Sequence, residues 1–493
     1  MSIDYNRWWT LKNGEFHEEN NEESKSITED YLIYPGTTTE LDIRSLQNLS
    51  VEKIADEILA QQGSWSIVYY NHKLGKVFIG RDVFGRQSLV FNFELMMFGC
   101  RTKPGTPGNW IEIPFGQVTV LDANMNENNH PIIFSYMECY PEDIMDQYFS
   151  NFLPTRVIVH KKDSLLNVSR ETGGEINTSN SKMLLEKVTE ATKVLLRNYT
   201  RSHVAVCLSG GVDSTFIAHV VHASVAPEIC IDLVNIAFGN SEKVRAHLFV
   251  GYSECIFFQE CEQAPDRNRA RKALESFRVA YPERQFRLIL VNVDKQQLEQ
   301  DRIESVASAA KPASSVLDDS LSCVLWYAVR AEGFDSENMN QVKSPATTCL
   351  LGSGADELLA GYARHRTRFE KEGIAENIAE ECENELRRLG TRNGGRDARV
   401  AAQLGKTILS PLLEDTVVSW LNSLPVDSKW DLSLPRGVGE KQLLRETVKM
   451  LGSPYDAPKQ AMQFGSRMAK MSNAGNNSIK GSDKSPYLFK TVD

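Results

Sequence analysis

A six-residue string, Ser209-Gly210-Gly211-Val212-Asp213-Ser214, sits where one kind of pattern gives way to another. Ahead of it, His203-Val204-Ala205-Val206-Cys207-Leu208 is short, apolar and β-branched, the composition of a buried parallel strand. After it, Thr215 to His222 continues as a helix with apolar residues on one face. The string is therefore a strand-to-helix turn. Two glycines let the backbone fold tightly and aim successive N–H groups at one point. The helix N-terminus adds partial positive charge there, and Ser209 and Ser214 add hydroxyl donors. That makes a cradle for an anion with several oxygens. Asp213 would repel a bare phosphate, so its presence calls for a bridging Mg2+. The Gly-Lys-Ser/Thr of a Walker A loop is missing.

From Ser181 onward helix and strand patterns alternate. Leu184, Val188, Ala191 and Leu195 recur at helical spacing ahead of strand 203–208. Residues 229–238, 286–293 and 347–351 read as three more buried strands. The expected fold class is α/β, with a doubly wound parallel sheet in the C-terminal part. Ligands of such sheets lie at the carboxyl ends of strands, where the Ser209 loop, Phe238-Gly239 and Gly352 all fall. A second Gly turn, Leu351-Gly352-Ser353-Gly354-Ala355-Asp356-Glu357, leads into a helix. Its adjacent carboxylates suit either cation coordination or capping of the helix amides.

Residues 1–125 look β-rich, with strands at 64–70, 77–80 and 88–91, and a short helix at 50–60 capped by Ser50. By pattern alone this part carries no evident chemistry. Residues 126–180, rich in turn formers and charge, read as an interdomain crossing, and 472–493 as a mobile polar tail. A net charge of −10 offers no broad basic field for nucleic acid. No apolar run approaches a membrane span, and the polar, acidic N-terminus shows no secretory signal. Nine scattered cysteines without a CxxC pair fit a reducing cytoplasm. The expected partners are small molecules, not nucleic acid or membrane; the sequence is silent on oligomeric state.

The Ser209 string resembles the pyrophosphate loop of the ATP-pyrophosphatase superfamily. That implies cleavage of ATP between its α- and β-phosphates, giving AMP and pyrophosphate. Taken with the second Gly turn through Gly361-Tyr362, it resembles the asparagine synthetases, which carry Ser-Gly-Glu-Gly-Ser-Asp-Glu…Gly-Tyr in that place. Arg396-Asp397-Ala398-Arg399, Pro411-Leu412-Leu413-Glu414 and Gly439-Glu440-Lys441-Gln442-Leu443-Leu444-Arg445-Glu446 look like the helical second half of the same domain, so the resemblance covers most of residues 181–471. Leu317-Asp318-Asp319-Ser320, Gly361 to Arg366 and Met462 to Arg467 look closer still to one branch, the eukaryotic asparagine synthetase domain-containing proteins.

What the resemblance implies is a two-step reaction. A carboxylate, in the family that of aspartate, attacks the α-phosphorus of MgATP; pyrophosphate leaves, and ammonia then attacks the acyl-adenylate. Carried over by position, Leu208 and Phe238 contact adenine through their backbone, and Ser209, Gly210, Gly211, Asp213 and Ser214 bind pyrophosphate. Leu351 and Gly352 touch the nucleotide, and Asp213 with Asp356 holds Mg2+. The family's second-motif glutamate falls on Ser353, its catalytic lysine on Ala461, and the arginine before Pro411 on Leu409. Lys459 is the expected stand-in for that lysine, which leaves Asp356 and Lys459 as the candidate catalytic pair.

Asn13-Gly14-Glu15, Gly63-x-Trp65-Ser66 and Arg81-Asp82-x-Phe84-Gly85-Arg86-x-Ser88-Leu89 resemble pieces of the family's N-terminal-nucleophile glutaminase domain. That domain needs a cysteine directly after the initiator methionine. This chain opens Met1-Ser2-Ile3-Asp4, and its first cysteine is Cys100. The expectation is an incomplete, β-rich glutaminase remnant over 1–125 and an ATP-binding domain over 181–471. Three activities stay open: an amide ligase using free ammonia, an adenylating enzyme for another acid, and a nucleotide-binding protein without synthetase activity.

Overall fold

The computed structural model describes residues 8–12, 15–19, 24–27, 31–33, 41–92, 94–107, 109–123, 132–135, 156–159, 165–199, 202–239, 257–453, 460–472 and 480–488. The chain divides into two units. The first takes residues 1–166, 308–313 and 384–403, and the second takes the rest.

The first unit carries β1 (Trp8–Lys12), β2 (Glu15–Glu19), β3 (Ser24–Ile27), β4 (Tyr31–Ile33), β5 (Ser66–Asn71), β6 (Lys76–Arg81), β7 (Val90–Asn92), β8 (Met97–Gly99), β9 (Trp110–Glu112), β10 (Gln117–Asp122), β11 (Ile132–Ser135) and β12 (Arg156–Val159). They form two six-stranded sheets, ordered β3-β2-β1-β8-β7-β9 and β12-β11-β10-β6-β5-β4. The two-residue period of strands sorts their side chains. On β5, Val68 and Tyr70 join Trp9, Leu11 and Phe16 of the other sheet in one core. Ile67 and Tyr69 point the opposite way, to Ile54 and Ile58 of the helix Val51–Leu59. Both faces of β5 are thus buried, which is why its sequence reads as an unbroken apolar run. Ser50 caps that helix, its side chain accepting from the Lys53 N–H. β11 and β12 lie within the stretch read as an interdomain crossing, and they pair in parallel.

The segments 308–313 and 384–403 come from the later half of the chain yet belong to this unit. Glycines let them in. A Cβ on Gly390 would meet the Phe115 ring at 2.3 Å, and one on Gly394 would meet the Gly85 carbonyl oxygen at 2.2 Å. The fully buried Arg399 then donates to Glu112 at 2.5 Å and to Ser88 Oγ at 3.0 Å.

The second unit is built on β13 (His203–Cys207), β14 (Cys230–Gly239), β15 (Phe286–Asp294), β16 (Glu332–Asp335), β17 (Gln341–Lys343), β18 (Thr348–Leu350) and β19 (Thr407–Leu409). The sheet order is β17-β16-β15-β14-β13-β18-β19. β15, β14, β13, β18 and β19 run parallel, while β16 and β17 add an antiparallel edge that the sequence pattern did not announce. Every residue of β14 is buried, as a central parallel strand requires. From β13 the chain builds outward through β14 to β15, then returns to lay β18 on the other side of β13. That reversal, at the carboxyl ends of β13 and β18, is a topological switch point, where open parallel sheets take their ligands. The helices Thr178–Leu196, Val212–Ser224 and Gln442–Met450 pack on one another, bringing the start of the last one to the start of the second. No helix among the described residues is long and apolar enough to cross a membrane.

Candidate functional site

The hexapeptide leaves β13 as a tight turn. Gly210 adopts φ +70°, a left-handed conformation that favours glycine, and a Cβ there would lie 2.4–2.5 Å from atoms of Arg269 and Ala270. Ser209 Oγ accepts the Gly211 N–H at 3.2 Å and stands 3.2 Å from Ser214 Oγ. The Ser214 hydroxyl donates to the Gly211 carbonyl at 3.1 Å. Val212 opens the following helix, whose N-cap Gly211 supplies no side-chain acceptor to its first amides.

The second Gly turn lies against the first. A Cβ on Gly352 would sit 2.7 Å from Asp213 Cβ, so only glycine permits this approach. Leu351 donates its N–H to Leu409 of β19. Gly354 at φ +97° then turns the chain into a helix of four residues, Ala355–Leu358. The sequence reading carried one helix on from this turn. The structure breaks it because Ala360 takes φ +51° and Gly361 packs against Lys441, and a new helix begins at Ala363. The adjacent carboxylates part company here. Glu357 turns inward and accepts from the Tyr362 hydroxyl at 2.5 Å, whereas Asp356 faces the first loop.

Between Asp213 and Asp356 sits Lys441. Its Nζ lies 2.8 and 2.7 Å from the two oxygens of Asp213 and 2.7 Å from Asp356 Oδ1. The lysine side chain is 1 % exposed, and the carboxylates 26 % and 16 %, so the ammonium is enclosed while the acids keep some contact with solvent. Burial alone would lower its pKa; Asp213 and Asp356 outweigh burial and hold it above the ordinary lysine value. Sequence reasoning used Lys441 only as part of a family likeness. The one signal in the sequence was a lysine directly ahead of an amphipathic helix, where a capping side chain is more usual.

Two more predicted residues lie at the carboxyl ends of β13 and β14. Leu208 is fully buried; its N–H donates to Val234 and its carbonyl accepts from Asn235 Nδ2 at 2.8 Å. Phe238 gives its N–H to the Ser466 carbonyl and sets its ring edge-on to Tyr327. Asn235 in turn is held by the buried Arg267 guanidinium. Lys459 lies outside the described residues.

Two other polar constellations serve the fold. His203, Cys230 and Asp232 cluster at the opposite ends of β13 and β14, but Arg287 takes both Asp232 oxygens at 2.8 and 2.9 Å and Ser344 adds a third donor. In the first unit, Arg81 spends its guanidinium on the carbonyls of Gln87, Ile113 and Gly85, and Asp82 accepts from the amides of Trp65, Phe84 and Arg86. Cys100 is buried, and burial pushes its thiol up to about 12, far from a nucleophile's range.

A model of the asparagine synthase family matches residues 184–409. Asparagine synthetase domain-containing protein 1 of Mus musculus is 31% identical over 548 residues, spanning 92% of this chain and 86% of that protein. The Homo sapiens protein of the same name is also 31% identical, over 86% of this chain and 79% of its own. A Saccharomyces cerevisiae asparagine synthetase domain-containing protein is 24% identical over 90% of this chain and 78% of its own.

Proposed function

The chain belongs to the family of asparagine synthetase domain-containing proteins, and from that premise we propose that it is an ATP-dependent ligase. In this reading the carboxylate of aspartate attacks the α-phosphorus of ATP, pyrophosphate departs, and ammonia converts the acyl-adenylate to an amide with loss of AMP. The observation that carries it is the Asp213–Lys441–Asp356 bridge at the mouths of β13 and β18.

Each residue has a part to play. Ser209, Gly210, Gly211, Asp213 and Ser214 receive the pyrophosphate portion, through backbone amides at the helix start and two hydroxyls that stand 3.2 Å apart. Leu351 and Gly352 border the nucleotide. Leu208, with both backbone groups engaged inside the chain, and Phe238 form the floor beneath the adenine. Lys441 keeps two neighbouring carboxylates from repelling each other and the incoming polyphosphate. Asp213, both of whose oxygens also accept from Lys441, and Asp356 are partly exposed hard oxygen donors that suit Mg2+, and these two residues would hold it. Bound there with ATP, the ion would supply charge neutralisation on phosphoryl oxygens. The described cysteines are free and buried, in keeping with a reducing cytoplasm. We read the first unit as a glutaminase-like scaffold and free ammonia as the nitrogen source.

A second reading draws on Ser353 and Ala461, which offer neither a base nor a cation to the reacting centre. It keeps nucleotide binding and drops amide synthesis, or moves adenylation to another acid. Exchange of labelled pyrophosphate into ATP separates these outcomes. Exchange that depends on aspartate supports the ligase. Exchange with a different acid alone reassigns the substrate, and MgATP binding with no exchange leaves a nucleotide-binding protein.

A further inference from the structure

Lys441 cannot meet the charge of a polyphosphate by itself, because its single positive charge is already shared between two carboxylates. A second cation borders the same loop. We propose that Arg269 binds the β- and γ-phosphates of ATP at the Gly210 end of the loop, while Lys441 serves the Asp213 end. The proposal rests on the nucleotide-binding part of the reading above.

Helix Pro265–Ala280 links β14 to β15, so its N-terminus stands at the carboxyl edge of the sheet. Gly210 packs directly on its second turn: a Cβ added there would lie 2.5 Å from Arg269 Cβ and 2.4 Å from the Arg269 carbonyl carbon. Helical side chains lean toward the N-terminus. From beside Gly210, the Arg269 side chain therefore runs toward the helix start at the carboxyl edge of the sheet. Two contacts there confirm the direction. Its guanidinium pairs with Asp266, one turn nearer the helix start, and both Nη atoms lie 3.1 Å from Gln460 Oε1. The side chain is 22 % exposed.

These resting partners can be exchanged for phosphate. Gln460 is exposed, and its neutral amide oxygen is a weaker acceptor than a phosphate oxygen. Asp266 is buried beside Gly465, whose Cα leaves no room for a methyl group, and burial raises its carboxyl to about 6 against the pull of Arg269. Arg269 Nε is buried and has no hydrogen-bond partner among the described residues. A planar guanidinium with a spare N–H edge is built for two-oxygen recognition of phosphate.

Calorimetric titration of the full chain with MgATP, magnesium pyrophosphate and AMP tests this. Arg269→Gln is expected to weaken MgATP and pyrophosphate about tenfold or more and to leave AMP, which lacks the outer phosphates, unchanged. Arg269→Lys recovers part of the loss and guards against a folding defect. Arg271→Gln, which removes only a pair with Glu262, changes none of the three affinities. Equal losses for AMP and MgATP in Arg269→Gln, or no loss for either, overturn the proposal. A wild-type chain that binds none of the three ligands overturns the ligase reading itself, a result distinct from unaltered binding in the variant.

Discussion

The Lys441 ammonium lies 2.8 and 2.7 Å from the two carboxylate oxygens of Asp213, a residue 228 positions away in the chain. Asp356 closes the bridge from a third element. Three stretches with little in common as sequence are thereby tied at one point. Removing the ammonium leaves two neighbouring carboxylates uncompensated. Lys441→Met is expected to cost about 2–4 kcal/mol, below the usual loss for a fully buried pair because the acids are partly solvated. Urea unfolding measures it. Millimolar Mg2+ is expected to return part of that loss in the variant and to change the wild-type midpoint little.

Gly352 and Gly210 each admit no side chain. Gly352→Ala drives a methyl against Asp213 Cβ, and Gly210→Ala adds a left-handed backbone to a contact of about the same closeness. Each is expected to destabilise by about 1–3 kcal/mol. Because both shift the loop, each also weakens MgATP. Gly405→Ala is the control: its φ is +65° but a Cβ there meets nothing within 4 Å, so it changes stability with no effect on nucleotide.

His219 lies fully inside the second unit, its ring nitrogens 2.8 Å from the Tyr281 hydroxyl and 3.0 Å from Ser453 Oγ. Burial, with a smaller push from His222, lowers its pKa from 6.5 to about 3. Between those values the unfolded chain binds a proton that the native chain refuses. Stability therefore falls as pH drops from 6.5 toward 3, with a slope of up to about 1.4 kcal/mol per pH unit from this group. Asp266 and Asp319, raised by burial to about 6, bind protons in the native state first and oppose that slope between 3.8 and 6. His219→Gln is expected to remove this group's share, so that stability falls less, or rises more, between pH 7 and pH 5 than in the wild type. Denaturant midpoints at pH 7, 6 and 5 check this, and an unchanged slope contradicts it.

In the first unit, Glu112 takes a 2.5 Å bond from Arg399 and a 3.3 Å ion pair from Arg81. Arg399→Met strands part of that charge, at an expected cost of about 3 kcal/mol. Amide exchange should accelerate across residues 81–88 and 112–115, the segments that Gly390, Gly394 and Gly395 abut. Exchange confined to 384–403 would mean that this segment does not support the N-terminal sheets.

Much of this was legible in advance, for identifiable reasons. Buried parallel strands are continuous apolar runs, so β13, β14, β15 and β18 emerged within a residue or two. The Ser50 cap and the Ile54 and Ile58 face of its helix follow from local chemistry. Long-range choices were hidden. Nothing near Lys441 indicates which acids it will meet, because the pairing is set by how helix Gln442–Met450 packs on helix Val212–Ser224. The short hairpin of β16 and β17 lacks alternation strong enough to mark it. Residues 384–403 read as part of the helical second half, yet they fold with the N-terminal sheets because their glycines fit loops more than 270 positions earlier. In the tail, Gly481 and Asp483 carbonyls accept the Leu317 and Val316 amides, a capping role that polar composition does not reveal.

The account stands or falls on whether the loop at Ser209 and the acid pair beside it take MgATP. Calorimetric titration of the full chain and of Asp213→Ala with MgATP measures that directly. The account predicts saturable one-to-one binding by the wild type and a loss of at least about tenfold in the variant. Equal MgATP affinity in the two proteins would contradict it.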